Sequence, residues 1–397
     1  MAEWTSFDSF LQEAKATSND IDRQALVDAL LEERTVWPWV EGDKATFVLD
    51  RQGTTSAALN LDTLPGDPPF APMSNLIGTR LWYVTETFRP DDLLDYMIVI
   101  DDPMTPLAGD RDLVGRVARH WGTDALNPLK MQTTQMDVSV LRMPTARPFP
   151  DWSAFGAVTR GKIYEHDIAS EEIGFRNRKL WVYTPPGYGS GSVHPLLILN
   201  DGQWMAGPLQ APYIADALIK HQRMMPTVIA MIQSAEGEGR TKEYFDGEQF
   251  TVFLLTELIP YIQTRYYVDS GRVGIGGVDE GAVAAMSAAA RSPSMFSRLM
   301  AISPPLSAKG ANAEVTQDLN RRYETSPALP KRIFTSVGRY EAKSRFTRPA
   351  QNLRQKLAGR RDLDLKFVEI GSGHSLVGFR SVLPEAFAWL FPGAAFG

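Results

Sequence analysis

The sequence contains no cysteine among its 397 residues. This absence excludes disulfide bonds, thiolate metal ligands and a cysteine nucleophile. Long apolar runs are also missing, and none approaches the roughly 20 residues that a membrane-spanning helix needs. The first residues lack the basic and apolar regions of a signal peptide. We therefore expect a cytoplasmic protein with no membrane partner.

Excess positive charge is absent as well. The chain has 41 Lys and Arg residues against 47 Asp and Glu residues, a formal net charge of −6, and no basic tract. Nucleic acids attract basic surfaces, so we predict no nucleic-acid partner. No pattern of ligands indicates a protein-bound metal or another cofactor. A small-molecule substrate is the partner that this composition leaves open, together with a possible homodimer.

The chain is long for a single hydrophobic core, so we expect more than one domain. Residues 1–40 contain helical patterns and form a predicted N-terminal helical segment. Residues 41–150 contain short β-like pieces between Gly, Pro and Asp turns, which is typical of an immunoglobulin-like β-sandwich. The proline-bearing stretch 143–151 is the predicted linker to a catalytic domain over residues 151–397.

The catalytic domain is predicted from alternating strands and helices after residue 161. Its strands are nearly continuous apolar runs, which indicates a mostly parallel sheet covered by helices on both faces. The first two strands are joined without a helix and should form an antiparallel edge. Ligands bind at the carboxyl ends of the strands in such a sheet, so we expect the catalytic residues to lie there.

The most informative stretch is residues 277–281, which read Gly-Val-Asp-Glu-Gly. An apolar run at 273–275 precedes this stretch, and an alanine-rich helical pattern follows it. That context predicts the nucleophile elbow of the α/β-hydrolase fold, Gly-x-Ser-x-Gly. The residue at the nucleophile position is Asp279 instead of serine.

His374 is the strongest candidate for a catalytic base among the five histidines. It follows the last predicted strand after a glycine turn, in the order nucleophile, acid, histidine that the fold uses. Glu341, after the strand predicted at 332–336, is the candidate acid, with Asp362 and Asp364 as alternatives. A loop glutamate between basic residues could also be a surface ion pair.

Two further loops supply candidate substrate-binding groups. The strand predicted at 195–200 leads into Gly202, Gln203 and Trp204, which could furnish an oxyanion-hole amide, with a second amide from Glu280. The alternative is a tight glycine turn with the tryptophan packed beneath it. Arg240, in the polar loop after the strand predicted at 227–232, could contact an anionic ligand or only pack.

Together these residues resemble the enterochelin esterase family, the cytoplasmic hydrolases that open ferric trilactone siderophores. The resemblance covers nearly the whole chain. It implies a β-sandwich N-terminal domain that helps to form the substrate cleft, His374 as the base and amides near Gln203 as the oxyanion hole. The matching motifs lie at 78–83 (Gly-Thr-Arg-Leu-Trp-Tyr), 124–128 (Asp-Ala-Leu-Asn-Pro), 182–188 (Val-Tyr-Thr-Pro-Pro-Gly-Tyr), 240–244 (Arg-x-x-Glu-Tyr), 257–260 (Glu-Leu-Ile-Pro) and 373–374 (Gly-His).

The sequence departs from the family pattern at three neighbouring positions. Asp279 replaces the serine, Glu280 stands where the family usually has a neutral aromatic or methionine, and Ala282 replaces a glycine. Three local changes together indicate a natural lineage that has given up the serine mechanism.

Ordinary acyl-enzyme chemistry is unfavourable for an aspartate. Attack on an ester carbonyl would form a mixed anhydride, and a carboxylate (pKa about 3.9) leaves far more readily than an alkoxide, so the adduct would revert. Three hypotheses remain for Asp279 and His374: attack on a saturated carbon, as in epoxide hydrolases and dehalogenases; water activation by an acid–base pair; or ligand binding without turnover. We favour a hydrolase of a siderophore-like ester or lactone. Glycan binding by the sandwich aromatics, Trp37 and Trp39 among them, is a further alternative.

Overall fold

The computed structural model describes residues 4–61, 63–133, 136–148, 158–189 and 191–396. Its contacts divide the chain into two compact units, Met1–Arg147 with Gly371–Val377, and Pro148–Ile370 with Gly378–Gly397. The domain boundary predicted at 150/151 and the end of the predicted linker lie outside the described residues. No sequence pattern predicts that residues 371–377 group with the first unit.

The first unit begins with two helices, α1 (Phe7–Ala16) and α2 (Asp20–Glu33). Ser6 and Asn19 cap them by accepting backbone N–H groups of the first turn. Their apolar faces bury Phe7 and Phe10 against Trp37. Because Trp37 and Trp39 are core residues of this cluster, they are not available as a glycan-binding surface.

Two antiparallel sheets form the rest of the first unit, in the orders β1-β2-β6-β5 and β4-β3-β7-β10-β9, with β8 paired to β7. The rings of Phe47 and Tyr96, one from each sheet, pack edge to face with centroids 4.8 Å apart. The predicted β-sandwich is therefore confirmed. The strands are β1 (Trp39–Glu41), β2 (Lys44–Asp50), β3 (Ala57–Asn60), β4 (Phe70–Pro72), β5 (Ser74–Asn75), β6 (Leu81–Thr87), β7 (Leu93–Ile100), β8 (Trp121–Gly122), β9 (Lys130–Gln132) and β10 (Asp137–Arg142).

The second unit contains one sheet in the order β11-β12-β14-β13-β15-β16-β17-β18. β11 and β12 form the predicted antiparallel edge, and the other six strands are parallel to one another. This arrangement confirms the predicted α/β-hydrolase fold. The strands are β11 (Lys162–Ser170), β12 (Phe175–Thr184), β13 (His194–Leu199), β14 (Val228–Ile232), β15 (Val268–Val278), β16 (Phe296–Ile302), β17 (Arg332–Gly338) and β18 (Asp364–Ile370).

Helices connect these strands because each apolar helix face covers an apolar face of the sheet. β13 and β14 are buried along their whole length, as strands covered on both faces must be. The helices are α4 (Gly202–Ala206), α5 (Ala211–Lys220), α6 (Glu238–Phe245), α7 (Gly247–Phe253), α8 (Ile259–Gln263), α9 (Glu280–Arg291), α10 (Ala313–Thr325), α11 (Arg348–Leu357) and α12 (Leu376–Leu390), with π-helical turns at Leu254–Leu258 and Lys343–Thr347. None of the helices in the described ranges has the length and apolar character needed to cross a bilayer.

One helix of the first unit, α3 (Leu113–His120), was not expected among the β-like pieces. It carries Arg116, which is buried and donates two hydrogen bonds to the carboxylate of Asp102, at 2.6 and 2.9 Å, and one to Asp110 at 3.0 Å. Burial acts to raise the pKa of Asp102, but the hydrogen bonds from Arg116 and its neighbours bring that pKa below its usual value. The ion pair holds α3 against the sandwich.

Replacing this arginine should weaken the first unit. We expect Arg116→Met to lower the free energy of unfolding by about 3 kcal/mol, because Asp102 would stay buried without its cation. Arg119→Met is the matched control on the same helix; its partner Asp112 is exposed, so the loss should be below about 1 kcal/mol. Urea unfolding of the whole chain measures both, and equal losses would contradict the buried-pair interpretation.

Candidate active site

The backbone at Asp279 has the sharp conformation of a strand-to-helix elbow, with φ 50° and ψ −128°. A residue other than glycine pays about 1–3 kcal/mol for such a conformation, so the surroundings must impose it. The Asp279 N–H donates to the carbonyl of Ile302 at 2.9 Å, which ties the turn to β16. A Cβ on Gly277 would collide with the carbonyl of Gly281, which explains the glycine at 277.

A single guanidinium holds the charged groups around this elbow. Arg240 donates to both carboxylate oxygens of Asp201, at 2.7 Å from Nε and 2.9 Å from Nη2. Its Nη1 donates to Asp279 Oδ2 at 3.2 Å and to Glu280 Oε2 at 3.1 Å. We call Asp201, Asp279 and Glu280 the carboxylate cluster. Three carboxylates share one cation here, although each lies 39 or 40 residues from Arg240 along the chain.

Asp201 and Arg240 are positioned by their own elements. Asp201 follows β13 with φ 55°, is fully buried, and its N–H donates to the Tyr244 hydroxyl at 3.0 Å. Arg240 and Tyr244 lie four residues apart on α6, hence on one helix face. The Arg240 guanidinium also lies over the ring of Trp204, 4.7 Å from its centroid. Trp204 therefore packs against the arginine.

The pair of Asp201 and Arg240 is ionic and buried. Burial raises the pKa of Asp201, and the hydrogen bonds and charge of Arg240 oppose that rise. Burial acts to lower the pKa of Arg240, but the bonds and charge of Asp201 bring it above its ordinary value. Arg240 is thus a permanent cation, and its two bonds to Asp201 direct Nη1 toward Asp279.

The side chains of Gln203 and Glu280 serve structural roles. Gln203 exchanges hydrogen bonds with Ser234, donating to its hydroxyl at 2.7 Å and accepting from its N–H at 3.2 Å. Glu280 accepts from Thr241 Oγ1 at 2.8 Å as well as from Arg240. Their backbone N–H groups lie in the first turns of α4 and α9 and have no intrahelical acceptor. The oxyanion-hole assignment rests on these amides and stays a prediction.

Small residues bring the two helix starts together. A Cβ on Gly281 would collide with Asp201 Oδ2, and one on Gly202 would collide with the carbonyl of Met231. Asn200 Nδ2 donates to the Gly281 carbonyl at 2.8 Å, which joins the end of β13 to α9. These contacts fix the amide-bearing turns with respect to Asp279.

The candidate acid Glu341 lies directly after β17 and is only 4% exposed. Its interpretation as a surface ion pair is therefore wrong. The two alternative acids lie at the surface: Asp362 pairs with Arg360, which lowers the pKa of Asp362, and Asp364 on β18 is 62% exposed on its side chain. Because Glu341 is buried and the other two acids are exposed, Glu341 is the best of the three candidates for the acid that orients His374.

His374 lies in the segment 371–377, directly after β18, and is half-buried. This segment is held by the start of β7: Leu93 N–H donates to the Gly371 carbonyl at 2.7 Å, and Ser375 hydrogen bonds to Asp95, whose pKa is raised by burial. The assignment of His374 as the base stays a prediction.

Three of the other histidines have structural partners. His166 Nε2 lies 2.6 Å from the Tyr266 hydroxyl, His194 Nε2 lies 3.0 Å from Ser192 Oγ, and His120 Nδ1 lies 3.0 Å from the Ile100 carbonyl. The fourth, His221, is the C-cap residue of α5.

The sequence did not identify Tyr244, Thr241 or Ser234 as parts of the site, although the four-residue spacing of Arg240 and Tyr244 was a usable signal for one helix face. Within the described part of the chain, no group of three His, Asp or Glu side chains could hold a metal ion.

Comparison with known proteins shows the family to which the chain belongs. The model of the family described as "Putative esterase" matches residues 170–390, more than half of the chain. The chain belongs to this esterase family. Curated relatives include the iron(III) enterobactin esterase of Dickeya dadantii (strain 3937), 26% identical over 81% of this chain and 79% of that protein. The enzyme of the same name from Escherichia coli (strain K12) is 23% identical over 56% of this chain and 58% of its own length.

Solved structures of similar proteins show the same fold. The ferric enterobactin esterase of Salmonella typhimurium superimposes with a TM-score of 0.76 at 19% identity, covering 91% of this chain and 98% of that one. The enterobactin esterase of Shigella flexneri, crystallised in the presence of enterobactin, gives a TM-score of 0.74 at 19% identity over 91% and 97%. The family makes the chain a hydrolase of the esterase class.

Arg240 should dominate the stability of the second unit. We expect Arg240→Met to lower its free energy of unfolding by about 3–5 kcal/mol at pH 8, because Asp201 would be buried without a cation. The folded pKa of Asp201 would then rise further, and the native state would bind a proton at pH 5 that the unfolded state does not. The loss should therefore be smaller at pH 5.

Urea unfolding at the two pH values provides the measurement for this prediction. Arg272→Met is the control, since its pair with Asp269 is partly exposed and should contribute less than about 1 kcal/mol at either pH. A loss for Arg240→Met that is no larger than the control, or that grows toward acid pH, would contradict the buried ion pair.

Proposed function

We propose that this protein hydrolyses a small-molecule ester or lactone of siderophore type, with Asp279 and His374 activating water and no acyl-enzyme intermediate. One observation carries the proposal. Asp279 keeps the strained elbow backbone while its carboxylate lies 3.2 Å from the Arg240 guanidinium. The elbow presents a side chain to a substrate, and the guanidinium favours the ionised form of that side chain.

Several features make a carboxylate in this position a poor acyl nucleophile. The mixed anhydride that it would form reverts, because a carboxylate leaves more readily than an alkoxide. The negative charge lies at the N-terminus of α9, where the partial positive charge of the helix stabilises it. The hydrogen bond from Arg240 stabilises it further. A stabilised anion is better suited to orienting water than to attacking a carbonyl carbon.

In the proposed step, His374 accepts a proton from a water molecule while the water oxygen bonds to the substrate carbonyl carbon. The Asp279 carboxylate accepts a hydrogen bond from the other O–H of that water, which keeps its hydrogen, and the carboxylate stays ionised. The amides of Gln203 and Glu280 bind the developing oxyanion. The tetrahedral intermediate then breaks its bond to the leaving oxygen, which takes the proton from His374. Glu341 orients the histidine.

The substrate class rests on the relatives, which are esterases named for iron(III) enterobactin. We extend that class to this chain as an ester or lactone, and the individual substrate stays open. The cytoplasmic location and the homodimer stay predictions from the sequence.

The role of Asp279 can be tested by its isosteric amide. We expect Asp279→Asn to lower hydrolysis of an activated ester and a catecholate trilactone by at least about 100-fold, because the amide carries no charge and has one acceptor oxygen where the carboxylate has two. The measurement is steady-state turnover, with an epoxide and a haloalkane in the same panel. Turnover of the last two would instead support attack of Asp279 on a saturated carbon.

Asp279→Ser serves as the comparison variant. If the unmodified protein is inert toward the whole panel while Asp279→Ser gains ester hydrolysis, the protein is a retired esterase that binds without turnover, and our proposal is wrong.

Replacing His374 should reduce turnover more than replacing Glu341. We expect His374→Ala to lower kcat by about 10²–10⁴-fold, since the water would lose its proton acceptor. Glu341→Gln should lower kcat less than His374→Ala, because it acts through the histidine. His120→Ala is the control, since its ring lies beside the Ile100 carbonyl on the first unit. Unchanged kcat in His374→Ala would remove this residue from the mechanism.

A further inference from the structure

The first unit contains a pocket with uncharged walls. Its volume is about 360 Å³, and every described residue that lines it belongs to the first unit. Phe70, Met73, Trp82 and Met104 supply its largest apolar side chains, and none of the described lining residues carries a charge. Ligand-binding pockets in proteins are mostly apolar and commonly have volumes of about 300–1,000 Å³. The pocket is therefore large enough to hold a small molecule.

One wall of the pocket is held by the carboxylate of Asp101, the first residue after β7. Its Oδ1 accepts hydrogen bonds from the N–H groups of Thr55 and Ser56, at 2.8 and 3.0 Å, and from the Thr55 hydroxyl at 2.8 Å. Thr55 and Ser56 line the pocket and lie directly before β3. The carboxylate therefore joins the loop after β7 to this wall and fixes its backbone.

A second carboxylate, Asp102, positions two other lining residues. It accepts hydrogen bonds from the Met104 N–H at 2.8 Å and from the Trp121 indole N–H at 3.1 Å. The Trp121 ring packs edge to face against Phe70, with centroids 5.4 Å apart. Arg116 donates two further hydrogen bonds to the same carboxylate. The buried ion pair that holds α3 therefore also fixes the side of the pocket that Phe70 and Met104 form.

The backbone of this loop is strained. Asp101 has φ 50° and Met104 has φ 57°, in the left-handed region that residues with a Cβ disfavour. Among the described residues of the first unit, no other residue except glycine has such a φ. Strain of this kind persists only where surrounding contacts impose it, and it is concentrated at functional sites such as ligand clamps. The fold keeps Met104 in the pocket wall at a cost in backbone energy, which indicates a function for this wall.

The lining also indicates the class of ligand. An uncharged wall complements an uncharged ligand, because a charged one would lose hydration and gain no counter-ion. Two aromatic rings and two thioethers favour an aromatic ligand, since ring–ring and sulfur–ring contacts add to the hydrophobic effect. The Trp82 indole N–H and the Ser56 hydroxyl make no hydrogen bond to a described residue, so both are available to a polar substituent.

We propose that this pocket binds an uncharged aromatic compound that carries a hydrogen-bond acceptor, such as an aryl ketone or amide. A glycan is the competing ligand, because sugars also stack on aromatic side chains. A sugar presents many hydroxyl groups, however, and the two available polar groups of this pocket satisfy few of them. The inference does not depend on the proposed function, because the pocket contains none of the residues assigned to hydrolysis.

Four probes test the class of ligand by calorimetry with the whole chain. Acetophenone is the uncharged aromatic ketone, benzoate has nearly the same shape and a negative charge, cyclohexyl methyl ketone lacks the aromatic ring, and cellobiose is the glycan. We expect acetophenone to bind at least about tenfold more tightly than benzoate and at least about threefold more tightly than cyclohexyl methyl ketone. Absent binding of acetophenone, equal binding of acetophenone and benzoate, or tighter binding of cellobiose would overturn the proposal.

Variants of the lining locate the bound probe. We expect Phe70→Leu and Trp82→Phe each to weaken acetophenone binding at least about fivefold, because one loses a ring contact and the other an N–H donor. Trp4→Phe is the matched control: it makes the same change in the first unit, at an indole that donates to Glu13 and does not line the pocket. Unchanged binding in both lining variants would overturn the proposal. The selectivity of the unmodified protein gives the answer even if a lining variant does not fold.

Met104→Gly distinguishes a ligand-binding role from a structural one. Glycine adopts the left-handed conformation without strain, so the midpoint of urea unfolding should stay the same or rise. Acetophenone binding should weaken at least about threefold, because the thioether contact is lost. Unchanged binding together with a lower midpoint would show that Met104 serves only the fold, and would overturn the proposal.

Asp279→Asn separates this site from the elbow. Acetophenone is a ketone that ester hydrolysis does not consume, so its binding is measured independently of turnover. We expect Asp279→Asn to bind acetophenone as tightly as the unmodified protein does. Binding that is lost in Asp279→Asn and kept in Trp82→Phe would assign the probe to the elbow and overturn the proposal.

Discussion

The guanidinium of Arg240 is the interaction on which the elbow region depends. Its planar fork matches both oxygens of Asp201 and still leaves Nη1 for Asp279 and Glu280. Three carboxylates could not be buried together without such a cation, because each would lose its hydration with no compensating partner. The same residue therefore joins β13, α6 and α9 and makes the acidic elbow possible.

The elbow itself shows that backbone geometry and side-chain chemistry can be separated. Gly277 is required by its close approach to the backbone of Gly281, and Gly281 by its close approach to the carboxylate of Asp201, whatever residue stands at 279. Asp279 occupies a turn that presents a nucleophile in serine hydrolases, and it takes the same sharp conformation. In the function that we propose, the fold keeps the position of the reagent and replaces an attacking hydroxyl by an anion that orients water.

Local sequence patterns predicted much of the architecture. They failed for features that depend on which residues are buried. The alternation of strands and helices led to the α/β-hydrolase sheet with its antiparallel edge, because apolar strands and helix faces leave periodic signals. The sequence did not predict α3 because this helix is held in place by a tertiary contact, the ion pair between its Arg116 and Asp102. Glu341 was open to interpretation as a surface residue because a sequence does not record exposure, and only the packed chain shows that it is buried.

The sequence by itself determined the elbow and the order of the candidate residues, since glycine spacing and strand succession are local properties. Only the tertiary structure decided that Arg240 pairs with Asp201 and Asp279, each 39 residues away in opposite directions along the chain. It also decided that the segment carrying His374 groups with the first unit. Such contacts depend on which surfaces the folded backbone brings within a few ångströms, and neighbouring residues in the chain do not encode that distance.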